Sequence, residues 1–298
     1  MVLRFNKRAV TLALAQWRSR WAIVALQTFL VIVFVGSLVA QSLPSATKSL
    51  AMLTSPDYPP YEYYDTTGGE TTNGERKIIG FDVDIATKIA AELGYKLKIN
   101  EMDFTSLVPA LQAKRADFVM AGMTPTLERQ EKVDFSIIYY DAKNILVALK
   151  ASNLTTTKDL AGKTVGVQLG SIQEGDAEKI AAKVPGMKVK QLNKVPDLIQ
   201  EIKLKRIDAA IIEDIFTEDF TVSNPDLSLN IILPEGPSGS AVAFPKGSPL
   251  VAGFNKVLEK LKTNGEIKAL AAKWFATGTL PMPTFPPDSM PPSPSKSS

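Results

Sequence analysis

Apolar and polar positions between residues 49 and 280 alternate in two rhythms. Short apolar runs predict strands at Ser49–Leu53, Leu97–Met102, Asp117–Ala121, Ile145–Leu149 and Thr164–Val167. Further runs predict strands at Met187–Leu192, Asp208–Ile212 and Ala241–Phe244. Between them, apolar residues three or four apart predict amphipathic helices. The clearest covers Asp82–Leu93: Asp82 is placed to cap it, Ile85, Ile89 and Leu93 repeat every fourth position, and Gly94 ends it. Others are predicted at Ser106–Lys114, where Thr105 or Ser106 can cap, and at Ile172–Lys183, Val195–Lys205, Pro249–Lys262 and Glu266–Phe275. Strands alternating with helices of this length specify an α/β fold with open sheets, in which ligands are expected at the C-terminal ends of strands.

The two ends of the chain break this rhythm. Trp21–Ala40 is an uncharged, mostly apolar run, with Gln27 and Ser37 among its few polar positions. Twenty residues at about 1.5 Å rise just reach across a bilayer. Arg4, Lys7, Arg8, Arg18 and Arg20 precede the run, and residues 1–42 contain no Asp or Glu. Basic residues on that side keep the N-terminus cytoplasmic. Residues 1–42 are therefore a signal peptide cleaved after Ser42, where Ala40-Gln41-Ser42 offers a small-x-small site, or a retained membrane anchor. Both readings export the rest to the periplasmic or extracellular face of the membrane. Beyond Gly278, seven prolines between Pro281 and Pro294 predict an extended tail at 279–298. Thr66–Gly74, rich in Thr and Gly, reads as a surface loop.

Composition narrows the chemistry. The net charge of +3 comes from the leader: without its five basic residues, 29 of the 34 remain against 31 acidic ones. The exported body thus has no electrostatic reason to bind nucleic acid. There is no cysteine, hence no disulfide and no lipidated Cys. There is no histidine either, which removes Ser-His-Asp and Cys-His catalysis and every His-containing metal site. No cofactor is expected.

Five segments carry polar or aromatic groups suited to recognition. Asp57–Tyr63 stiffens a loop with Pro59 and Pro60; Tyr58 there can wall a ligand side chain, while Tyr61 and Tyr63 read as packing residues. Phe104 sits at a strand-to-helix turn, where an aromatic taken alone is core more often than ligand wall. In Ala121–Arg129, Gly122 permits close backbone approach, Thr124 offers a hydroxyl, and Arg129 presents parallel donors that match a carboxylate. Arg129 paired with Glu128 or Glu131 on the surface is the plain alternative. Gln168–Gln173 opens a helix whose free N–H groups, beside Ser171, suit an anion, or Ser171 caps its own helix. Glu213 and Asp214 end a strand, where an acid can neutralise an ammonium group or Asp214 can cap the next element. Receptors for a carboxylate and for an ammonium group together complement a zwitterionic α-amino acid.

The order of these segments resembles the polar amino-acid-binding proteins of ABC importers, the family 3 extracellular or periplasmic binding proteins with the type II fold. The resemblance rests on Asp57–Tyr63 (DYPPYEY), Gly80–Asp84 (GFDVD), Asp103–Leu111 (DFTSLVPAL), Ala121–Arg129 (AGMTPTLER), Val133–Ser136 (VDFS) and Gly162–Ser171 (GKTVGVQLGS). Asp208–Glu213 (DAAIIE), Ala243–Ser248 (AFPKGS) and the closing Asn264–Phe275 complete it, over roughly residues 49–276. It implies two lobes joined by a two-segment hinge near 140–143 and 237–240. Lobe 1 is expected at 47–141 plus 239–278, and lobe 2 at 142–238.

By position, the resemblance makes Tyr58 and Phe104 the aromatic pair around the ligand side chain. Ala121, Gly122, Thr124 and Arg129 hold the carboxylate, helped by Ser171 and the Ile172 N–H. Glu213, or Asp214 one residue on, takes the ammonium. Ser55 stands where glutamine- and lysine-binding relatives carry Asp and is similar to arginine-binding ones; with Gln168 it would read the side chain. The implied protein is a monomer that binds a free amino acid, arginine first and glutamine next. It delivers the ligand to the permease subunits of an importer, touching the membrane itself only if the leader is kept. Two alternatives stand beside it. One is a dehydratase or lyase on the same fold acting on a small carboxylated ring; the other is a ligand-sensing domain, although residues 279–298 encode neither a span nor a signalling module.

Overall fold

The computed structural model describes residues 48–65, 76–141, 143–213, 222–232, 236 and 238–275. The leader at 1–42, the loop at 66–74, Asp214 and the tail at 279–298 lie outside the described residues. Among the described residues, no helix is long and apolar enough to cross a membrane.

Two five-stranded sheets organise the chain. The first runs β5 (Lys96–Glu101), β1 (Ser49–Thr54), β6 (Phe118–Val119), β13 (Ser240–Phe244), β7 (Asp134–Tyr140). The second runs β10 (Lys188–Leu192), β9 (Thr164–Gln168), β11 (Ala209–Glu213), β8 (Asn144–Leu149), β12 (Leu227–Ile232). Each mixes parallel pairs with two antiparallel ones: β1 is parallel to β5 and β6, and β9 to β10 and β11, whereas β13 and β8 run against both of their neighbours. A small antiparallel sheet of β2 (Asp57–Tyr58), β3 (Glu62–Tyr64) and β4 (Ile78–Ile79) follows β1.

The chain crosses between the sheets twice, and the crossings are neighbours at both ends. It leaves the first sheet after Tyr140 and joins the second at Asn144; it leaves again at Ile232 and returns at Ser240. Ser240 pairs with Tyr140 in one sheet, and Ile232 with Asn144 in the other. Two adjacent connections of this kind form a hinge between two lobes. The first lobe carries helices α1 (Phe81–Glu92), α2 (Phe104–Gln112), α3 (Leu127–Lys132), α6 (Leu250–Thr263) and α7 (Glu266–Phe275). The second carries α4 (Ile172–Ala181) and α5 (Val195–Lys203).

The helices bury the stripes that their spacing predicts. Ile85 and Ile89 of α1, Phe254, Val257, Leu258 and Leu261 of α6, and Leu198 and Ile202 of α5 are all in the core. Each such side chain contributes about 1.5–3 kcal/mol on full burial. The aromatic cluster beneath the hinge joins Tyr61, Phe81, Tyr140 and Phe275, with Tyr140 and Phe275 stacked at 4.8 Å.

Two helix starts differ from the sequence expectation. Helix α1 is preceded by Gly80 at φ 142°, and Asp82 lies inside the first turn rather than at the cap. A Cβ at position 80 would stand 2.1 Å from the Tyr61 carbonyl oxygen, so the chain can turn into the helix there only as glycine. Asp82 is thereby carried into the core. Helix α2 begins at Phe104 behind Asp103, ahead of the expected Ser106, because the extended backbone of Asp103 ends the preceding segment.

Candidate functional site

Loops at the C-terminal strand ends of both sheets meet in one cleft, with about 280 Å³ of empty space that is partly open to solvent. From the first lobe it is lined by Tyr58 on β2, Phe104 at the start of α2, Ala121, Gly122 and Thr124 after β6, and Arg129 on α3. The second lobe contributes Gln168 at the end of β9, Ser171, Ile172 and Gln173 at the start of α4, and Glu213 at the end of β11. A concave site between lobes with few polar groups is the usual setting for a small ligand.

Arg129 supplies the positive charge on one side of the cleft. Thr126 caps α3 by accepting the Arg129 backbone N–H at 3.2 Å, which fixes where the guanidinium starts. That group donates from Nη1 to the Thr124 carbonyl and from Nη2 to the Gly170 carbonyl, each at 2.8 Å. Gly170 belongs to the second lobe, so this bond crosses the cleft. Cζ also stands 5.4 Å from the Phe104 ring centroid, a cation–π distance. Burial lowers Arg129 to about 10, opposed by the charge of Glu128, and the group remains a cation at neutral pH. Opposite it, Ser171 caps α4: its hydroxyl donates to the Gln168 carbonyl at 2.7 Å and accepts the Glu174 N–H at 3.3 Å. Glu174 Oε2 in turn accepts the Gly170 N–H at 2.6 Å. Ile172, in the same first turn, lines the cleft, and its N–H is one of those that the helix itself leaves without an internal acceptor.

On the other side of the cleft lies the carboxyl of Glu213, which is buried at the end of β11. Tyr58 donates its hydroxyl to Glu213 Oε2 at 2.8 Å, a second bond across the cleft. Burial, followed by the nearby charge of Glu213, pushes the Tyr58 phenol well above its ordinary range, so it stays a donor. Its ring stacks on Tyr61 at 5.5 Å, and Tyr61 is fully buried. The wall offered by Tyr58 is therefore backed by the core rather than by solvent. Asp214 lies outside the described residues.

Beneath the Ala121–Thr124 loop sits a buried polar group of three side chains. Asp82 accepts the Gly122 N–H at 2.9 Å and the Tyr139 hydroxyl at 2.7 and 2.8 Å. Burial raises Asp82 to about 7, against the hydrogen bonds from Gly122 and Tyr139 that pull it down. Glu62, fully buried beside it, is raised well above the carboxyl range by burial and then by the charge of Asp82, and stands as a neutral acid. Gly122 itself has φ 55°, and a Cβ there would meet Tyr58 Cε1 at 3.1 Å. The loop's shape and the position of the Tyr58 ring are thus coupled.

The structure brings together every sequence-designated site residue except Ser55. That side chain is buried below the loop and donates to Asp57 Oδ1 at 3.0 Å. Asp57 is raised to about 6 by burial, against the pull of the Ser55 hydrogen bond and of Lys194. Gln173 lines the cleft without having been singled out; its place, directly after Ile172 in the first turn of α4, was the available signal. Among the described residues, no group of three or more His, Cys, Asp or Glu side chains could hold a metal ion.

The chain is similar to known proteins in sequence and in fold. The family model of the bacterial extracellular solute-binding proteins, family 3, matches residues 50–277. The arginine-binding extracellular protein ArtP of Bacillus subtilis strain 168 is 46% identical over 234 residues, covering 78% of this chain and 88% of the relative. Among solved structures, the substrate-binding protein of an amino acid ABC transporter superposes with a TM-score of 0.70 at 41% identity, covering 77% of this chain and all of the other. An ancestral arginine-binding protein bound to arginine superposes with a TM-score of 0.67 at 36% identity, covering 76% and 98%.

Proposed function

This chain belongs to the bacterial extracellular solute-binding proteins of family 3, and from that premise we propose that its cleft captures a free amino acid with a cationic side chain, L-arginine first, for an ABC importer. The observation that carries the reading is the placing of Arg129 and Glu213 in one cleft, opposite charges offered from opposite lobes. The Arg129 guanidinium, the Thr124 hydroxyl and the Ile172 N–H hold the ligand carboxylate. Glu213 takes the α-ammonium, with Tyr58 orienting its carboxylate. Tyr58 and Phe104 flank the aliphatic stem, where a cation also gains from the ring faces. Contacts from both lobes to one ligand favour the closed arrangement, which is a population shift about the hinge.

The moving bodies are residues 47–141 with 239–278, and residues 142–238. Residues 1–42 carry the chain to the outer face of the membrane, and the closed monomer is the form that the importer's membrane subunits receive.

A thermal-shift screen of the purified chain against the twenty amino acids tests this. A ligand at about 100 times its dissociation constant adds about 2.7 kcal/mol of stability. Arginine should give the largest shift; no shift with any amino acid sinks the reading. Recovering the bound amino acid unchanged after single-turnover incubation distinguishes a binder from a lyase on the same fold.

A further inference from the structure

Three side chains of the second lobe form a relay that ends in the cleft. Asp176, ion-paired with Lys179 at 3.6 Å, accepts the Asn144 Nδ2 amide at 2.8 Å. Asn144 Oδ1 in turn accepts Gln173 Nε2 at 3.0 Å. Asp176, Asn144 and Gln173 are 3%, 3% and 7% exposed. A carboxylate accepts hydrogen bonds and cannot donate them. It therefore dictates which way both amides face: Asn144 must turn its NH₂ to Asp176 and its oxygen to Gln173. Gln173 must then turn its NH₂ to Asn144, which leaves Oε1 and the second N–H for other partners on a residue that lines the cleft. Gln168 behaves alike, donating Nε2 to the Asn193 carbonyl at 3.3 Å.

We propose that Gln173, oriented by the Asp176–Asn144 relay, is a specificity-determining acceptor for the N–H groups of a guanidinium side chain. This rests on the amino-acid reading above, in which Arg129, Thr124 and Ile172 serve the carboxylate and Glu213 the ammonium. The two glutamines are then the polar lining groups left over for whatever distinguishes one amino acid from another. A guanidinium has five N–H donors and no acceptor, so a wall that offers an oriented amide oxygen suits it. A side chain ending in a carbonyl sets oxygen against oxygen, and an unpaired buried polar group is costly.

L-Citrulline isolates this interaction, because it keeps the shape of arginine but carries a carbonyl oxygen in place of one guanidinium nitrogen. Calorimetric dissociation constants for L-arginine and L-citrulline should differ at least tenfold in the unchanged protein. Asp176→Asn lets both downstream amides invert, and the arginine preference should narrow by fivefold or more. Gln173→Met removes the acceptor at similar volume without adding charge, and the preference should narrow by fivefold or more. Should Asp176→Asn fail to fold, Gln173→Met carries the test alone. Equal changes for both ligands would mean that Gln173 serves groups common to all amino acids, and the inference falls. Failure of the unchanged protein to bind arginine removes the amino-acid reading itself, whereas binding with an unaltered ratio in the variants overturns the relay alone.

Discussion

The carboxylate of Asp82 accepts the backbone N–H of Gly122 at 2.9 Å across 40 positions of sequence, joining helix α1 to the loop that lines the cleft. Asp82→Asn keeps the volume but replaces one acceptor oxygen by an NH₂ and removes the charge that strengthens the Gly122 bond. Hydrogen bonds to a charged group contribute about 1.5–3 kcal/mol. Arginine affinity should therefore fall roughly ten- to hundredfold, and titration calorimetry at matched pH measures it. An unchanged affinity would show that the loop keeps its shape without the bond.

Stability should fall as pH rises from about 4 to 7. Asp82 is raised from 3.8 to about 7, and Asp57 from 3.8 to about 6, both by burial. In that window the folded chain binds more protons than the unfolded chain, so raising the pH favours unfolding. Carboxyls held below their ordinary range by hydrogen bonds from Lys246 and Thr155, Asp134 and Asp159 respectively, act oppositely and only at lower pH. Melting temperature should be higher at pH 5 than at pH 8, and the Asp82→Asn variant should show a flatter profile. A melting temperature rising through this range would contradict the buried-acid assignment.

Arg129→Lys retains charge but loses the planar fork that reaches the Thr124 and Gly170 carbonyls and a ligand carboxylate together. Affinity should drop by about a hundredfold, equivalent to about 2.7 kcal/mol. Arg129→Ala should bind too weakly for calorimetry. Near-native affinity in either variant would remove the clamp.

Gly122→Ala places a side chain at φ 55° and pushes its Cβ against Tyr58. Left-handed backbone costs a non-glycine residue about 1–2 kcal/mol. The melting temperature should fall by several degrees, and arginine binding should weaken because the Tyr58 ring shifts. Loss of stability without loss of affinity would separate the loop from the aromatic wall.

Local rules made the sheet centres legible and the long-range contacts not. Strands β1, β9 and β11 are nearly continuous apolar runs, and α1, α5 and α6 repeat their apolar residues at helical spacing. Strands β7 and β12 escaped although the other two edge strands, β5 and β10, were read; Ser136 interrupts the apolar run of β7, and Ser228 and Asn230 that of β12. Asp82 read as a helix cap by its neighbours in sequence; its true partners, Gly122 and Tyr139, are adjacent only in the fold. The cleft residues were reached through motif order, since Arg129 and Glu213 look like ordinary surface or capping residues taken singly. Ser55 could not be excluded from sequence, because nothing local says that Asp57 takes its hydroxyl. Gln173 needed the Asn144 contact to stand out.

Strand β7 pairs only with β13, and Val242 N–H reaches Ser136 Oγ across 106 positions. All strands of the second sheet lie within 144–232 and can assemble before β13 exists. Closing the longer loop costs more chain entropy and slows pairing. The order of assembly is thus written into the topology: the inserted lobe matures first, and the lobe made from both ends is completed last, around it. Pulse-labelled hydrogen exchange during refolding should find the amides of β9 and β11 protected before those of β7. A nascent chain consequently has no finished cleft, and gains the ability to capture a ligand only in the final step of its own folding.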